Sequence, residues 1–272
     1  MTGGSSYGQG DLSRLNVRVP HPARVYDVWL GGKDNFEADR AAAQAGLEAF
    51  PFTIQSVRAN RAFLARVVKY LVTEAGIRQF LDIGTGLPSA DNTHEVAQGA
   101  AAESRVVYVD NDPIVLLHAQ ALLTSTEPGA TDYVDADLRE PGKILEAAAR
   151  TLDFTQPVAV MLIAILHFIA DDERPGQIVD TLMDAVAPGS YLAVSHLAKD
   201  IFPDELAAFA NDFNARASEK VTLRDHTEVS GFFAGLDLID PGVVQVSQWR
   251  PRTDEEAAEP TAVWGGVARK PA

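Results

Sequence analysis

The 272-residue sequence predicts an α/β fold, in which helices cover a mostly parallel sheet. Short apolar runs that suit buried strands alternate with stretches at helical spacing. Residues 80–86, Phe-Leu-Asp-Ile-Gly-Thr-Gly, indicate a buried strand that ends in a tight glycine turn. The last two candidate strands, residues 237–249 and 261–267, are separated only by residues 250–260, so we expect them to form an antiparallel hairpin at the sheet edge.

The composition excludes several classes of protein. Hydrophobic residues make up 46% of the chain, as in ordinary globular proteins. A net charge of −15 repels phosphate backbones, so nucleic acid is not an expected partner. The absence of cysteine excludes disulfides and thiolate metal sites. We expect a cytoplasmic protein without a membrane segment, because no apolar run reaches ~18 residues and the N-terminus lacks a signal pattern. The oligomeric state stays open.

The chain divides into three predicted parts. We expect a flexible tail over residues 1–16, a helical cap over residues 17–76 and an α/β core over residues 77–272. The cap has no sheet of its own to cover, so we expect it to pack against the ligand-binding edge of the core. Asn60 and Arg61 interrupt the apolar stripe of the last helix in the cap, and the simplest expectation places them on a solvated face.

A pair of glycines follows the first predicted helix of the cap. Gly31 and Gly32 precede three polar residues, Lys33, Asp34 and Asn35. Locally, two interpretations are equally good. The glycines end the helix before a polar loop, or they form a hinge for a lid that brings the polar side chains to a ligand.

The glycine turn after the first strand is the centre of the predicted site. Gly84 and Gly86 permit positive φ angles and let a ligand approach bare backbone at Thr85. The third glycine of the dinucleotide-binding fingerprint is missing, because Leu87 follows instead of continuing that pattern. An acid, Asp82, lies within the strand, two residues before the first glycine.

Acidic residues follow the next two predicted strands. Asp110 ends the second strand, about 24 residues after the turn, where its carboxylate can accept hydrogen bonds from ribose hydroxyls, with Asn111 beside it. After the third strand, Asp137 is favoured over Asp135 to accept from an adenine amino group, while the amide of Leu138 donates to a ring nitrogen. The alternatives are an acid that only ends a strand and a solvated acidic loop.

Two histidines follow the fourth and fifth predicted strands, residues 157–165 and 191–194. Open α/β sheets bind ligands at the carboxyl ends of their strands, so His167 and His196 are candidates to line the site. A packed, hydrogen-bonded histidine is the competing interpretation. If His167 acts as a base, the acids at 171 and 172 are expected to raise its basicity.

Together these residues resemble a family of S-adenosylmethionine (SAM) dependent methyltransferases that was formerly catalogued as a domain of unknown function. The most specific parts are Ala-Arg-Val-Tyr-Asp (23–27), Leu-Gly-Gly-Lys-Asp-Asn-Phe (30–36), Asp-Ile-Gly-Thr-Gly-Leu-Pro (82–88) with Asn92, His94 and Glu95 after it, and Leu-His-Phe-Ile (166–169). The resemblance implies a class I Rossmann-like sheet of seven strands in the order 3-2-1-4-5-7-6, with SAM as cofactor. It also favours the lid interpretation.

The resemblance implies that Asp82 helps to hold the methionine end of SAM. The expected cofactor-binding residues are Asp82, Gly84, Thr85, Gly86, Asp110, Asn111, Asp137, Leu138, Tyr26, Lys33 and Asn35. His167 is the candidate catalytic residue, and no metal site is expected because the acids are not grouped with histidines at ligand spacing.

Three functions remain compatible with the sequence. The first is a methyltransferase acting on a small molecule, and the second is a SAM-binding sensor or interaction protein without catalysis. The third is a nicotinamide oxidoreductase, which the missing third glycine and the terminal hairpin disfavour.

Overall fold

The computed structural model describes residues 16–122, 125 and 127–272, so nearly all of the predicted tail lies outside the described residues. The helices are α1 (Pro22–Leu30), α2 (Glu37–Ala49), α3 (Thr53–Thr73), α4 (Thr93–Ala100), α5 (Pro113–Leu122), α6 (Pro141–Ala148), α7 (Pro175–Ala185), α8 (Pro203–Arg216), α9 (His226–Gly231) and α10 (Asp254–Ala258). Helix α1 begins at Pro22 and ends where Gly31 takes a left-handed conformation. None of these helices combines the length and apolar character that crossing a membrane requires.

The strands form one sheet. They are β1 (Gln79–Ile83), β2 (Arg105–Asp110), β3 (Ala130–Asp135), β4 (Ala159–Ile163), β5 (Tyr191–Leu197), β6 (Asp237–Leu238), β7 (Val244–Gln245) and β8 (Val263–Arg269). Their order is β3-β2-β1-β4-β5-β8-β6, and β7 also pairs with β8. Strands β1 to β5 are parallel, whereas β8 runs antiparallel to its neighbours β5, β6 and β7. The predicted α/β fold with a terminal antiparallel region is confirmed.

The prediction of one long strand over residues 237–249 is wrong in one respect. It is divided into β6 and β7, and residues 246–248 form a 3₁₀ helix. Pro241 has no backbone N–H to donate to β8, and Gly242 has a φ of +87°, so the chain leaves the sheet between the two short strands. Counted as one interrupted strand, β6 and β7 reproduce the predicted order.

The ends of β4 and β5 also differ from the prediction. β4 ends at Ile163 because Ala164 takes a φ of +56°, and a short 3₁₀ helix over Leu166–Phe168 follows. β5 continues past His196 to Leu197, and His196 pairs with Trp264 of β8. His196 therefore lies inside the sheet rather than at a strand end, while His167 is at the edge.

Three packed layers position the site. Helix α3 buries Phe63, Val67 and Leu71 against one face of the sheet, and α6 and α7 cover the other face with residues such as Ile144 and Leu182. Helices α1 and α2 do not pack mainly on the sheet. They form a small core with α8, a helix that follows them by more than 150 residues of sequence, and this core lies against the carboxyl edge of the sheet.

Candidate functional site

A cavity at the carboxyl edge of the sheet brings together most of the predicted site residues. Its lining includes nine of the eleven predicted cofactor-binding residues and His167; the nine are Tyr26, Asp82, Gly84, Thr85, Gly86, Asp110, Asn111, Asp137 and Leu138. The cavity is closed on one side by the strand ends and on the other by α1, α3 and α8.

The glycine turn has the geometry that its sequence indicates. Gly84 and Gly86 have φ angles of +76° and +67°. A Cβ on Gly84 would lie 2.5 Å from the side chain of Ile165, so glycine is required there for space as well as for conformation. A Cβ on Gly86 would meet no atom within 4 Å, which leaves that side of the turn open to a ligand.

Asp110 is fixed against this turn. Its Oδ2 accepts the Gly86 N–H at 2.9 Å, and its Oδ1 accepts the Asp112 N–H at 2.9 Å. Burial raises the pKa of the Asp110 carboxyl, although both backbone donors favour the ionised form. Because each carboxylate oxygen can accept a second hydrogen bond, Asp110 retains acceptor capacity for two hydroxyls.

Asp82 is the other buried acid of the site. It is 4% exposed, and its Oδ2 accepts the Thr93 hydroxyl at 2.6 Å. Burial raises the pKa of the Asp82 carboxyl to about 6, while the Thr93 hydrogen bond and the charge of Arg61 act in the opposite direction. A cationic ligand group beside Asp82 would favour the ionised form and lower this pKa.

Asp137 follows β3 and lines the cavity. Its Oδ2 accepts the amide of Asn111 at 2.9 Å, and its Oδ1 accepts the backbone N–H of Arg139 at 2.8 Å. Asp135, the less favoured acid, is exposed and is not part of the cavity lining.

Two residues that the sequence placed on a solvated face lie at this cavity instead. Asn60 is 3% exposed, and its Nδ2 donates to the hydroxyl of Tyr26 at 3.0 Å, which in turn donates to the carbonyl of Val57. The Oδ1 atom of Asn60 has no hydrogen-bond partner among the described residues. Arg61 donates to the carbonyls of Ala90 and Asp91, and its charge acts on both Asp82 and Tyr26.

The predicted lid loop does not reach the cavity in this structure. Lys33 is exposed, and neither it nor Asn35 belongs to the cavity lining. The loop is tied to α1 because Oδ2 of Asp27 accepts the amides of Asp34 (N) and Asn35 (Nδ2) at 3.1 and 2.8 Å. A Cβ on Gly32 would overlap the Asp27 carboxylate, so this glycine permits a close contact as well as any hinge motion.

The sequence model of a family described as S-adenosyl methyltransferase matches residues 9–271. The chain belongs to this family. A DUF574 family protein from Streptomyces avermitilis shares 46% identity, with a TM-score of 0.91 over 95% of this chain and 100% of that chain. A protein from Thermobifida fusca, provisionally named a methyltransferase, shares 41% identity, with a TM-score of 0.86 over 94% of this chain and 96% of that chain.

The other comparisons are less direct. A plantazolicin methyltransferase solved in complex with a pentazolic desmethyl analogue and S-adenosylhomocysteine (SAH) shares 12% identity, with a TM-score of 0.50 over 92% of this chain and 96% of that chain. That likeness shows the fold alone. None of the curated proteins compared with the chain matches it. Family membership confirms that the chain is a SAM-dependent methyltransferase of Rossmann-like fold, and it excludes the nicotinamide oxidoreductase.

The cavity of this S-adenosyl methyltransferase fits the cofactor. The open face of Gly86 leaves room for backbone contact, and the Asp110 carboxylate keeps acceptor sites for hydroxyls. Asn60 carries a buried oxygen that has no partner in the part of the chain that the structure describes. A buried acceptor without a partner costs free energy, which a ligand amino group could recover.

His167 of this methyltransferase lies in the 3₁₀ helix after β4 and also lines the cavity. It is 5% exposed, and its Nδ1 has no hydrogen-bond partner among the described residues. The backbone is held in place because the His167 carbonyl accepts the Thr222 N–H at 2.7 Å. Burial lowers the pKa of His167 well below its ordinary value, and the nearby His196 and Arg224 lower it further. The imidazole is therefore neutral at physiological pH.

The expectation that acids near position 171 raise the basicity of His167 is wrong. Asp171 pairs with Arg224 at 2.6 Å, and Arg224 also donates to Nε2 of His196 at 2.9 Å. The positive guanidinium, rather than the carboxylate, acts on His167. His196 donates from Nδ1 to the carbonyl of Leu197 at 2.8 Å, so it supports Arg224 and is not part of the cavity lining.

Proposed function

We propose that the protein methylates a hydroxyl or amine of a small molecule, with His167 as the group that receives the proton. The observation that supports this most directly is the buried, neutral imidazole of His167, a residue of the cavity wall whose Nδ1 has no hydrogen-bond partner within the described part of the chain. An acceptor that donates a hydrogen bond to this atom would satisfy it and would be oriented by it.

Cofactor binding is proposed for the residues that line the cavity. Asp110 accepts from the ribose hydroxyls, with Asn111 beside it, and Asp137 and the Leu138 amide bind adenine. The turn of Gly84, Thr85 and Gly86 takes the centre of the molecule. Asp82 and Asn60 face the ammonium group of the methionine end, and Arg61 faces its carboxylate. Tyr26 fixes Asn60, and Lys33 and Asn35 join the site when their loop closes.

The reaction follows from these positions. Bound SAM supplies an electrophilic methyl group, whose bond to sulfur breaks as a bond to the acceptor oxygen or nitrogen forms. The electron pair of the broken bond stays on sulfur, and the acceptor proton passes to Nδ1 of His167 and later to solvent. Positive charge thus moves from sulfur to imidazole, which holds the proton only transiently because burial and Arg224 disfavour the charged ring. Positioning and exclusion of water by the cap supply most of the rate, on the order of 7–11 kcal/mol in favourable cases.

We also propose a cytoplasmic site of action and a partner that is not nucleic acid. A net charge of −15 opposes binding to phosphate backbones. Residues 17–76 are proposed to act as a cap that carries the lid over the core at residues 77–272.

Transfer of labelled methyl from SAM to a metabolite extract tests this function and identifies the acceptor. With that acceptor, His167→Ala is expected to lower turnover by about 10²-fold, the contribution of a general base, while affinity for SAH barely changes. His167→Asn is expected to be similarly impaired because an amide is not a base at neutral pH. His226→Ala, a histidine outside the cavity lining, is the control. Turnover near the wild-type value in both His167 variants would show that His167 only packs against its neighbours and does not act as a base.

A further inference from the structure

The cavity lining includes residues beyond those assigned to the cofactor. Beyond His167 it continues between the strand ends, the helices α1 and α8, and Phe50, which directly follows α2. We define the acceptor chamber by six residues that line this part: Trp29, Phe50, Phe168, Leu206, Phe209 and Phe213. All six are apolar, and five are aromatic.

The aromatic rings of the chamber form a connected series that begins at His167. The centroid of the His167 ring lies 4.4 Å from that of Phe168, and Phe168 lies 6.5 Å from Phe213. Phe213 stacks on Phe209 at 5.8 Å, and Phe209 lies 6.0 Å from Trp29. These rings already contact one another, and all of them also line the cavity, so a flat ring bound against them would form further stacked or edge contacts at the wall that includes His167.

The charges around the cavity disfavour an anionic acceptor. Five acids line the cavity, namely Asp27, Asp82, Asp110, Asp137 and Glu219, against two arginines. Arg139 is already paired with Asp137, Glu173 and Glu219, and Arg61 lies at the methionine end beside Asp82. Among the described residues, no cation is therefore left to pair with a carboxylate or phosphate of the acceptor in the chamber.

From these observations we infer that the acceptor is an uncharged, ring-bearing molecule whose flat face contacts Phe209 and Phe213 and whose hydroxyl or amine lies at His167. This inference rests on the proposed function, since it assigns the substrate class of the same site. It adds that α8 selects the acceptor, although α8 contributes nothing to the proposed cofactor contacts.

Three probe molecules of similar size test separately whether the acceptor must be uncharged and whether it must carry a flat ring. These are 2-naphthol, 6-hydroxy-2-naphthoate, which adds a carboxylate, and decahydro-2-naphthol, which keeps the hydroxyl but loses the flat ring. Calorimetry with the SAH-bound protein measures their binding. We expect 2-naphthol to bind about tenfold more tightly than the carboxylate, because a charge would be buried without a partner. We expect a preference of about threefold over the saturated alcohol.

A variant tests the ring contact directly. Phe213→Leu keeps an apolar side chain but removes the ring, so it is expected to abolish the preference for 2-naphthol over decahydro-2-naphthol. Phe154→Leu makes the same change at a partly buried position outside the cavity, and it should preserve the preference. The comparison of probes on the unmodified protein stands even if a variant folds poorly.

Equal or tighter binding of 6-hydroxy-2-naphthoate, or failure of 2-naphthol to bind the SAH complex, would overturn the inference. These results leave the methyltransferase reaction and the role of His167 intact, because those are tested by methyl transfer to the extract. Conversely, ring binding with the expected preference but without any methyl transfer from SAM to the extract would contradict the proposed function while supporting the chamber.

Discussion

At the scale of single residues, the site depends on polar groups that the fold places out of water. Asp82, Asn60 and His167 are each at most 5% exposed. Asp82 can carry a buried charge, and Asn60 and His167 each have an atom without a hydrogen-bond partner among the residues that the structure describes, which costs folding free energy. A protein retains such unfavourable groups at positions where they bind a ligand. Predictions at this scale therefore concern both ligand affinity and stability.

Arg61→Ala is expected to weaken SAH binding by about tenfold or more, because a hydrogen bond to a charged group contributes about 1.5–3 kcal/mol. Methylthioadenosine, which lacks the amino-acid end, should bind the variant and the wild type equally in calorimetry. Arg58→Ala, at an exposed position one turn earlier on α3, is the matched control. Equal losses for both ligands would mean that Arg61 acts on the loop at Ala90 and Asp91 rather than on the methionine end.

Asp82→Asn is expected to stabilise the protein at pH 7 while weakening SAH binding. The pKa of Asp82 is raised from 3.8 to about 6, so ionising it costs the folded state up to about 3 kcal/mol above pH 6 and nothing below pH 3.8. Asparagine can still accept the Thr93 hydroxyl but carries no charge. The gain in unfolding free energy, measured in urea, should therefore be present at pH 7 and lost towards pH 4.

Asp184→Asn, which removes an exposed acid elsewhere, is the control for this prediction. A fall in stability of Asp82→Asn at pH 7 would show that the ionised carboxylate is favourable in the folded state. In the wild type, SAH affinity should also fall as the pH drops below about 6, where Asp82 becomes protonated.

At the scale of elements, the loop after α1 is the part expected to move. Tyr26 lines the cavity, whereas Lys33 and Asn35 lie outside it. Hydrogen exchange of residues 26–35 should slow when SAH is added, because closure would protect these amides. Exchange in α10, which is remote from the cavity lining, should not change. Unchanged exchange in residues 26–35, together with binding confirmed by calorimetry, would contradict a lid.

The secondary-structure elements also show which features of the site and the sheet could be predicted from the sequence. The glycine turn, Asp82 and Asp110 follow from local patterns, since a parallel strand brings its carboxyl end to the common edge of the sheet. The position of Asn60 could not be predicted, because its burial depends on Tyr26, which lies 34 residues earlier in the sequence. The division of β6 from β7 could have been predicted from Pro241 and Gly242, which break strands.

At the scale of the whole molecule, one buried side chain joins the N-terminal helices to the C-terminal segment. Arg66 of α3 donates to the carbonyls of Trp249 and Val246 at 2.9 and 2.5 Å, and it also pairs with Glu256. These partners are about 180 to 190 residues away in sequence. The C-terminal segment is thus held against α3 even though its own strands are short.

Arg66→Ala is expected to reduce the free energy of unfolding by about 3–5 kcal/mol, because it leaves two buried carbonyls and a partly buried carboxylate without their partner. Lys69→Ala, at an exposed position of the same helix, should change it by less than about 0.5 kcal/mol. Urea unfolding of both variants makes the comparison. Similar small losses would show that the aromatic packing of Trp249 on Phe63 and Tyr70 is sufficient to hold the segment.

The small core that α8 forms with α1 and α2 also bears on how such an enzyme can diversify. The groups proposed to hold SAM lie on the strand ends, α1, the loop after α1, and α3, whereas much of the chamber wall comes from α8. Substitutions on this one helix would therefore change the acceptor while the residues that bind the methyl donor stay the same. Relatives that carry the same glycine turn but a different α8 are expected to share a donor and to differ in their products.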